Sequence, residues 1–209
     1  SGSIWTSMSA AYPKITNKQA EPNSVTVHLD QNLDAVVGID RAFVTSMLPS
    51  NKFAELKAAI GTLTPVLVKH RPIEQFTRIG LRLMYHKSFP DRDAATKYLL
   101  KAVALPLPSG KVMNIEGRLL DPSFAFRWEG ETLGFQLRLA AVQSQISVDF
   151  PPEYAHLTPQ TDQLLLNRVM VDIDYYSHAL VSVDQLKAED LIENWLHVIK
   201  RDIAHVVKD

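Results

Sequence analysis

Two arginines and two aspartates occupy alternating positions in segments that have the pattern of β-strands. Arg78 and Arg82 lie four residues apart with Gly80 between them, and Asp172 and Asp174 lie two residues apart. Because successive side chains of a strand point to opposite faces, each pair shares one face, with spacings of about 13 Å and about 7 Å. Carboxylates at that spacing can hold a divalent metal ion or divide the roles of general acid and general base.

Three interpretations of these residues remain open. The favoured one is ion pairing between neighbouring strands, because it neutralises all four charges at once. The second is a metal-dependent phosphoryl-transfer enzyme or nuclease in which Asp172 and Asp174 are the catalytic ligands. The third is binding of an anion or a nucleic acid through the strand arginines Arg78, Arg82, Arg127 and Arg138.

Composition and motifs narrow the class of protein. The 209 residues include 22 Lys and Arg against 23 Asp and Glu, for a net charge of -1, which makes nucleic acid an unlikely partner. The absence of cysteine excludes disulfides and thiolate metal sites and favours a cytoplasmic location. No hydrophobic run is long enough for a membrane span. The sequence contains no phosphate-binding glycine loop, zinc-protease motif or serine-hydrolase motif, so we expect no cofactor and no metal.

The seven histidines do not form a ligand set, since none lies three or four residues from another. His197, Arg201 and His205 follow each other at helical spacing near the end of the chain. This pattern predicts a polar stripe on the last helix that faces solvent or a protein partner.

The elements that must position these residues follow from hydrophobic periodicity. In the first half, strands are predicted at residues 25–29 and 35–39, a helix from Asn51 that Pro65 interrupts or kinks, a central strand at residues 76–85, and a helix capped by Asp91. The pattern predicts strands followed by a helix.

The second half repeats that order. A β-hairpin is predicted at residues 124–139, strands at residues 146–150 and 168–176, and a last helix preceded by a capping box at Ser182 and Gln185. Hairpins with occasional helices predict an α+β fold, in which mainly antiparallel sheets carry helices on one face.

The domain organisation is predicted from linker composition. Ser1-Gly2-Ser3 resembles the remnant of an expression tag, residues 4–11 fit the end of a short helix, and residues 1–24 are predicted to form a mobile N-terminal arm. Residues 25–104 and 105–209 are two similar halves, expected to pack as one compact unit. A strand upstream of Ile4 is expected to be missing, and the sheet edge left open invites a homodimer.

The segment Arg78-Ile-Gly-Leu-Arg82 resembles a sporadically distributed family of uncharacterised bacterial proteins marked by an R-[IL]-G-[LI]-R-[YF]-x-N motif. Tyr12-Pro13, Val171-Asp-Ile-Asp174 and Asn194-Trp-Leu-His197 are similar as well. This chain departs from the motif at Leu83-Met-Tyr-His86, where the family has an aromatic residue and an asparagine. The resemblance implies a compact α+β fold and no particular reaction, and its patchy distribution is typical of mobile or defence-associated genes.

From these observations we expect a non-enzymatic interaction or regulatory module. It would present a sheet edge or the terminal helix to a protein partner.

Overall fold

A computed structural model of the chain describes residues 2–12, 15, 17–30, 32–46, 53–103, 119, 121–146 and 164–206. The helices in these ranges are α1 (Gly2–Ala11), α2 (Phe53–His70), α3 (Arg92–Val103) and α4 (Ala188–Val206). The strands are β1 (Asn17–Glu21), β2 (Ser24–Asp30), β3 (Leu33–Gly38), β4 (Ala42–Ser46), β5 (Gln75–Phe76), β6 (Ile79–Phe89), β7 (Ser123–Glu129), β8 (Leu133–Ile146), β9 (Leu164–Ser177) and β10 (Val181–Ser182). The predicted strand at residues 146–150 lies outside the described residues beyond Ile146, where β8 ends.

Antiparallel pairing joins the strands into two four-stranded sheets and one small ribbon. The first sheet has the order β1-β2-β3-β4, the second sheet has the order β6-β9-β8-β7, and β10 pairs with β5. Helices α1 and α2 belong with the first sheet, and α3 packs against the second. The predicted α+β class, with helices packed against antiparallel sheets, is confirmed.

Contacts divide the chain into two compact units. The first comprises Ser1–Arg78 and Ala179–Val198, and the second comprises Ile79–His178 and Ile199–Asp209. This division differs from the predicted boundary at residues 104 and 105. The physical reason is the pairing of β6, which forms its ladder with β9 from much later in the chain.

One face of the first sheet supplies the core of the first unit. Alternate residues of β2 and β3 are buried, as a period of two requires for a sheet with one covered face. The core consists of Val27, Leu29, Leu33, Ala35 and Val37 from the sheet and Met8, Ala59, Leu63 and Leu67 from the two helices.

The segment predicted as a mobile arm contains a helix and a strand in its described part. Helix α1 places Met8 in the core with none of its surface exposed. Strand β1 forms a hairpin with β2, in which Glu21 lies opposite Ser24. The helix agrees with the one expected at residues 4–11. Its packing differs from the expected mobile arm, because the apolar residues of α1 have a sheet and a helix to pack on.

Pro65 does not end α2, so of the predicted alternatives, interruption or a kink, the interruption is wrong. The helix continues to His70, with Pro65 exposed on its outer side. Buried residues lie on both sides of the proline, at Leu63 and Leu67. Their burial offsets the roughly 3 kcal/mol that a proline costs in the middle of a helix.

The second unit is built on the same plan. Helix α3 begins after Asp91, whose side-chain oxygen accepts a hydrogen bond from the backbone N–H of Ala94 at 2.7 Å, so the predicted cap is confirmed. The helix buries Ala95 and Leu99 against one face of the second sheet. We call this the helix-covered face. Its buried strand residues are Leu81, Leu137, Leu139, Ala141, Val169, Val171 and Ile173.

Helix α4 has the predicted apolar stripe but not the predicted start. Ile192, Trp195 and Ile199 are buried. Ser182 precedes a short 3-10 helix without a side-chain capping bond, and α4 begins only at Ala188. Within the described residues, no helix is both long enough and apolar enough to cross a membrane.

Candidate functional site

The face of the second sheet opposite α3 carries a set of polar side chains. The strand register places Arg82 of β6 opposite Asp174 of β9, which lies opposite Gln136 of β8. One row further along, Asp172 lies opposite Arg138. These five residues surround a shallow depression that is open to solvent. We call this surface the polar face.

Arg82 and Asp172 form a two-bond ion pair on the polar face. The Nε and Nη2 atoms of Arg82 donate to the two carboxylate oxygens of Asp172 at 2.8 and 2.7 Å. The pair runs diagonally, because the residue directly opposite Arg82 is Asp174. The side chain of Asp172 is 5% exposed and that of Arg82 is 53% exposed, so arginine is the member that faces solvent. The hydrogen-bonded carboxylate of Asp172 raises the pKa of Arg82.

Arg138 lies directly across the strands from Asp172 but does not bind it. Both oxygens of that aspartate are already occupied by Arg82. Among the described residues, the only side-chain group that Arg138 contacts by a hydrogen bond is the neutral amide of Gln136. In the amide orientation that satisfies both its oxygen and its nitrogen, the oxygen accepts from Nε and Nη2 of Arg138 at 3.2 Å each. The guanidinium of Arg138 is exposed. It therefore carries donors that the described part of the chain leaves available.

A tyrosine closes one end of the polar face. Tyr176 of β9 is buried, and its ring lies across Gly134 of β8, so that its hydroxyl donates to Oε1 of Glu129 on β7 at 3.4 Å. Glu129 also pairs with Arg127, and that guanidinium lowers the pKa of Glu129. Arg127 thus has its own carboxylate, unlike Arg138.

The ring of Tyr176 packs directly on the backbone of Gly134, where a side chain would clash with it. A Cβ atom there would lie 2.9 Å from the Cζ and Oη atoms of the ring. We expect Gly134→Ala to lower the free energy of unfolding by about 1 to 3 kcal/mol, because overpacking forces the buried ring to shift. Gly80→Ala is the matched control, since its Cβ would make only ordinary contacts at 3.5 Å. Urea unfolding curves compare the two variants, and equal losses would contradict this account.

The structure brings three of the four predicted residues together. Arg82, Asp172 and Asp174 line the depression, whereas Arg78 is exposed, precedes the first residue of β6 and does not line it. Arg138 belonged to the predicted anion-binding set and does line the depression. Gln136 was missed, although its position between Gly134 and Arg138 in a period-2 pattern already placed it on the same face.

The carboxylates do not have the geometry of a metal site. Asp172 is buried, and both of its oxygens accept hydrogen bonds from an arginine. In the described ranges, no three His, Asp or Glu side chains are grouped so that they could hold a metal ion. The arrangement suits an ion pair, which occupies the oxygens that a metal would need.

The predicted stripe on the last helix is described only in part. His197 and Arg201 are exposed on α4. The guanidinium of Arg201 binds the neighbouring Asp202, with Nε donating at 2.6 Å. Residue His205 lies within α4, but its side chain is outside the described residues. Whether this stripe meets a partner stays a prediction.

Comparisons with models of protein families, with curated proteins and with solved structures found no match to this chain. The family resemblance based on Arg78-Ile-Gly-Leu-Arg82 therefore stays a prediction. The side chains of the polar face are the basis on which a function can be assigned.

Proposed function

We propose that the protein is a non-enzymatic interaction module whose polar face binds a carboxylate group of a protein partner. The observation that carries the proposal is the position of Arg138, exposed beside the depression with only a neutral amide as its described side-chain partner. A guanidinium presents several N–H donors in one plane, which match a carboxylate that accepts two of them. Arg82, half exposed at the same depression, adds a second positive charge.

The charge of the polar face supports a singly charged ligand. Two arginines and two aspartates line the depression, so their formal charges cancel. The negative charge of Asp174 would repel a polyanion. A nucleic acid binds through many phosphates to a surface of net positive charge, and the chain as a whole carries a net charge of -1. A single protein carboxylate flanked by N–H groups therefore matches the polar face better than a nucleic acid does.

The burial and hydrogen bonding of Asp172 also support a binding role over a catalytic one. A general acid or base must reach a proton of the substrate within hydrogen-bond distance. Asp172 is buried and its oxygens are held by Arg82. Asp172 therefore holds the guanidinium of Arg82 in a fixed orientation towards solvent.

We place this interaction in the cytoplasm. The sequence has no cysteine, and chains without disulfides are typical of reducing compartments. The partner would then be a protein of the same compartment with an exposed Asp, Glu or C-terminal carboxylate.

The side-chain Nε–H signals of the arginines provide a direct test. We expect the signal of Arg138 to shift saturably when a capped glycine pentapeptide with one central glutamate is added to ¹⁵N-labelled protein, and not when the same peptide with glutamine in place of glutamate is added. Arg138→Gln should weaken binding of the glutamate peptide by about tenfold to a hundredfold, since a hydrogen bond to a charged group contributes about 1.5 to 3 kcal/mol.

Arg127→Gln is the matched control. Arg127 lies on the same face of the adjacent strand but is already paired with Glu129. We expect its replacement to leave the affinity nearly unchanged. Binding of the glutamine peptide with equal affinity, or equal effects of the two arginine variants, would contradict the proposal. Stronger binding of inorganic phosphate than of the peptide would also contradict a carboxylate ligand.

A further inference from the structure

Strand β7 forms one edge of the second sheet. In the described part of the chain it pairs only with β8. The backbone N–H of Gly130 donates to the oxygen of Leu133 at 2.8 Å, and the N–H of Ala141 donates to the oxygen of Pro122 at 3.0 Å. Even-numbered positions of β7 therefore bond to β8, because hydrogen-bonded pairs alternate along an antiparallel ladder.

The odd-numbered residues point the other way. Ser123, Ala125, Arg127 and Glu129 direct their N–H and C=O groups towards the open edge. An edge of this kind is a template for another strand. Arg127 and Glu129 neutralise each other as an ion pair, so the edge carries no net charge to repel a similar edge.

The side chains of β7 add an aromatic surface to this edge. Phe124, Phe126 and Trp128 alternate on the helix-covered face. Trp128 is stacked on Phe135 of β8, with ring centroids 4.5 Å apart, and lies 5.7 Å from Phe126. Trp128 is nevertheless 50% exposed, so part of this aromatic surface faces water.

We propose that β7 pairs with β7 of a second copy of this chain, antiparallel and with the two-fold axis at Phe126. In this register Ala125 faces Arg127 of the second copy, and Ser123 faces Glu129 of the second copy. All the outward-directed residues then take part, and the pairing would form about eight backbone hydrogen bonds. The two sheets become one continuous sheet across the axis.

Other registers fit less well. A register must place odd positions opposite odd positions, because only these direct their backbone groups outward. Centring the axis on Arg127 would place the two Arg127 side chains opposite each other, and centring it on Ala125 would leave Glu129 without a partner strand residue. With the axis at Phe126, the two Phe126 rings face each other and Trp128 faces Phe124 of the second copy. These are non-hydrogen-bonded positions, where side chains approach most closely.

The pairing is self-complementary and therefore closes after two copies. It uses the one edge on which Phe124, Phe126 and Trp128 lie together. The opposite edge of the sheet, β6, carries exposed His86 and Lys87, and charged side chains of this kind discourage edge pairing.

Cysteine cross-linking tests the register, because the chain has no cysteine of its own. Phe126→Cys places two thiols opposite each other on the axis, at a Cα separation that a disulfide can span. Phe124→Cys is the matched control, since those two positions would be about 13 Å apart along the strands. We expect Phe126→Cys to form the cross-linked dimer about tenfold faster than Phe124→Cys under mild oxidation.

A proline variant separates edge pairing from chance encounters. Ala125→Pro in the Phe126→Cys background removes an outward N–H and leaves the ladder to β8 intact, so cross-linking should fall to the level of Phe124→Cys. Without any cysteine, the native chain should have the mass of a dimer in light scattering, and Ala125→Pro that of a monomer. A monomeric native chain, larger oligomers, or equal cross-linking of the two cysteine variants would overturn the proposal.

Discussion

Arg82→Met is expected to lower the free energy of unfolding of the second unit by about 3 kcal/mol. The variant keeps the apolar stem of the side chain and removes the charge, which leaves the buried carboxylate of Asp172 without its partner. Breaking a buried ion pair from one side typically costs about 3 to 5 kcal/mol. The lower end applies here because half of Arg82 is in contact with solvent. Amide hydrogen exchange in β9 is the measurement, since this strand lies between β6 and β8 and its amides exchange when the second unit opens.

Two further variants show whether the loss of stability comes from the unpaired, buried carboxylate of Asp172. Adding Asp172→Leu to Arg82→Met should restore most of the stability, because the buried charge is removed together with its partner. Arg127→Met breaks an exposed pair with Glu129 and should cost far less than Arg82→Met, because solvent screens exposed ion pairs. If Arg82→Met cost no more than Arg127→Met, the ion pair would not be a structural element of the sheet.

Met8→Ala is expected to lower the free energy of unfolding of the first unit by about 2 to 3 kcal/mol. The side chain of Met8 is fully buried against the first sheet and α2, and its truncation leaves a cavity that the neighbours fill only in part. Alanine is the best helix former, so the helix itself would not be weakened. Chemical unfolding of the native chain and the variant gives the difference.

The control for Met8 lies on the same helix. Ser3 is exposed, and Ser3→Ala should leave the stability within about 0.5 kcal/mol of the native value. Equal stabilities of the two variants would mean that residues 2–11 behave as the arm predicted from the sequence and contribute nothing to the core.

Local patterns predicted most of the strands correctly. The alternation in residues 76–85 and 168–176 places β6 and β9, and the pattern of residues 124–139 places the β7-β8 hairpin. The predicted central position of residues 76–85 is wrong, because β6 lies at an edge of the second sheet as far as the described strands show. The alternation also places Arg82, Asp172 and Asp174 on single faces of their strands. Side-chain direction in a strand depends only on the position along it, so a sequence suffices to predict it.

Register and tertiary packing could not be predicted in the same way. Which aspartate Arg82 binds depends on the register between β6 and β9. The two paired residues, Arg82 and Asp172, are 90 positions apart in the chain. The continuation of α2 through Pro65 and the burial of Met8 depend on surfaces supplied by distant segments. Local signals do not contain those contacts, so they favoured a break or kink at Pro65 and a mobile arm instead.

Tyr176 and Gly134 have a consequence for how the second sheet assembles. Strands β8 and β9 are each 14 residues long, and strands of that length offer several competing alignments. A slip of two residues would bring Gln136 under the ring of Tyr176, where the structure has room for no side chain. The ring of Tyr176 fits only opposite a residue without a side chain, so Gly134 favours the observed register over registers shifted by two residues. A single glycine thereby helps to determine which residues of two long strands meet, including the row that holds Asp172 and Arg138.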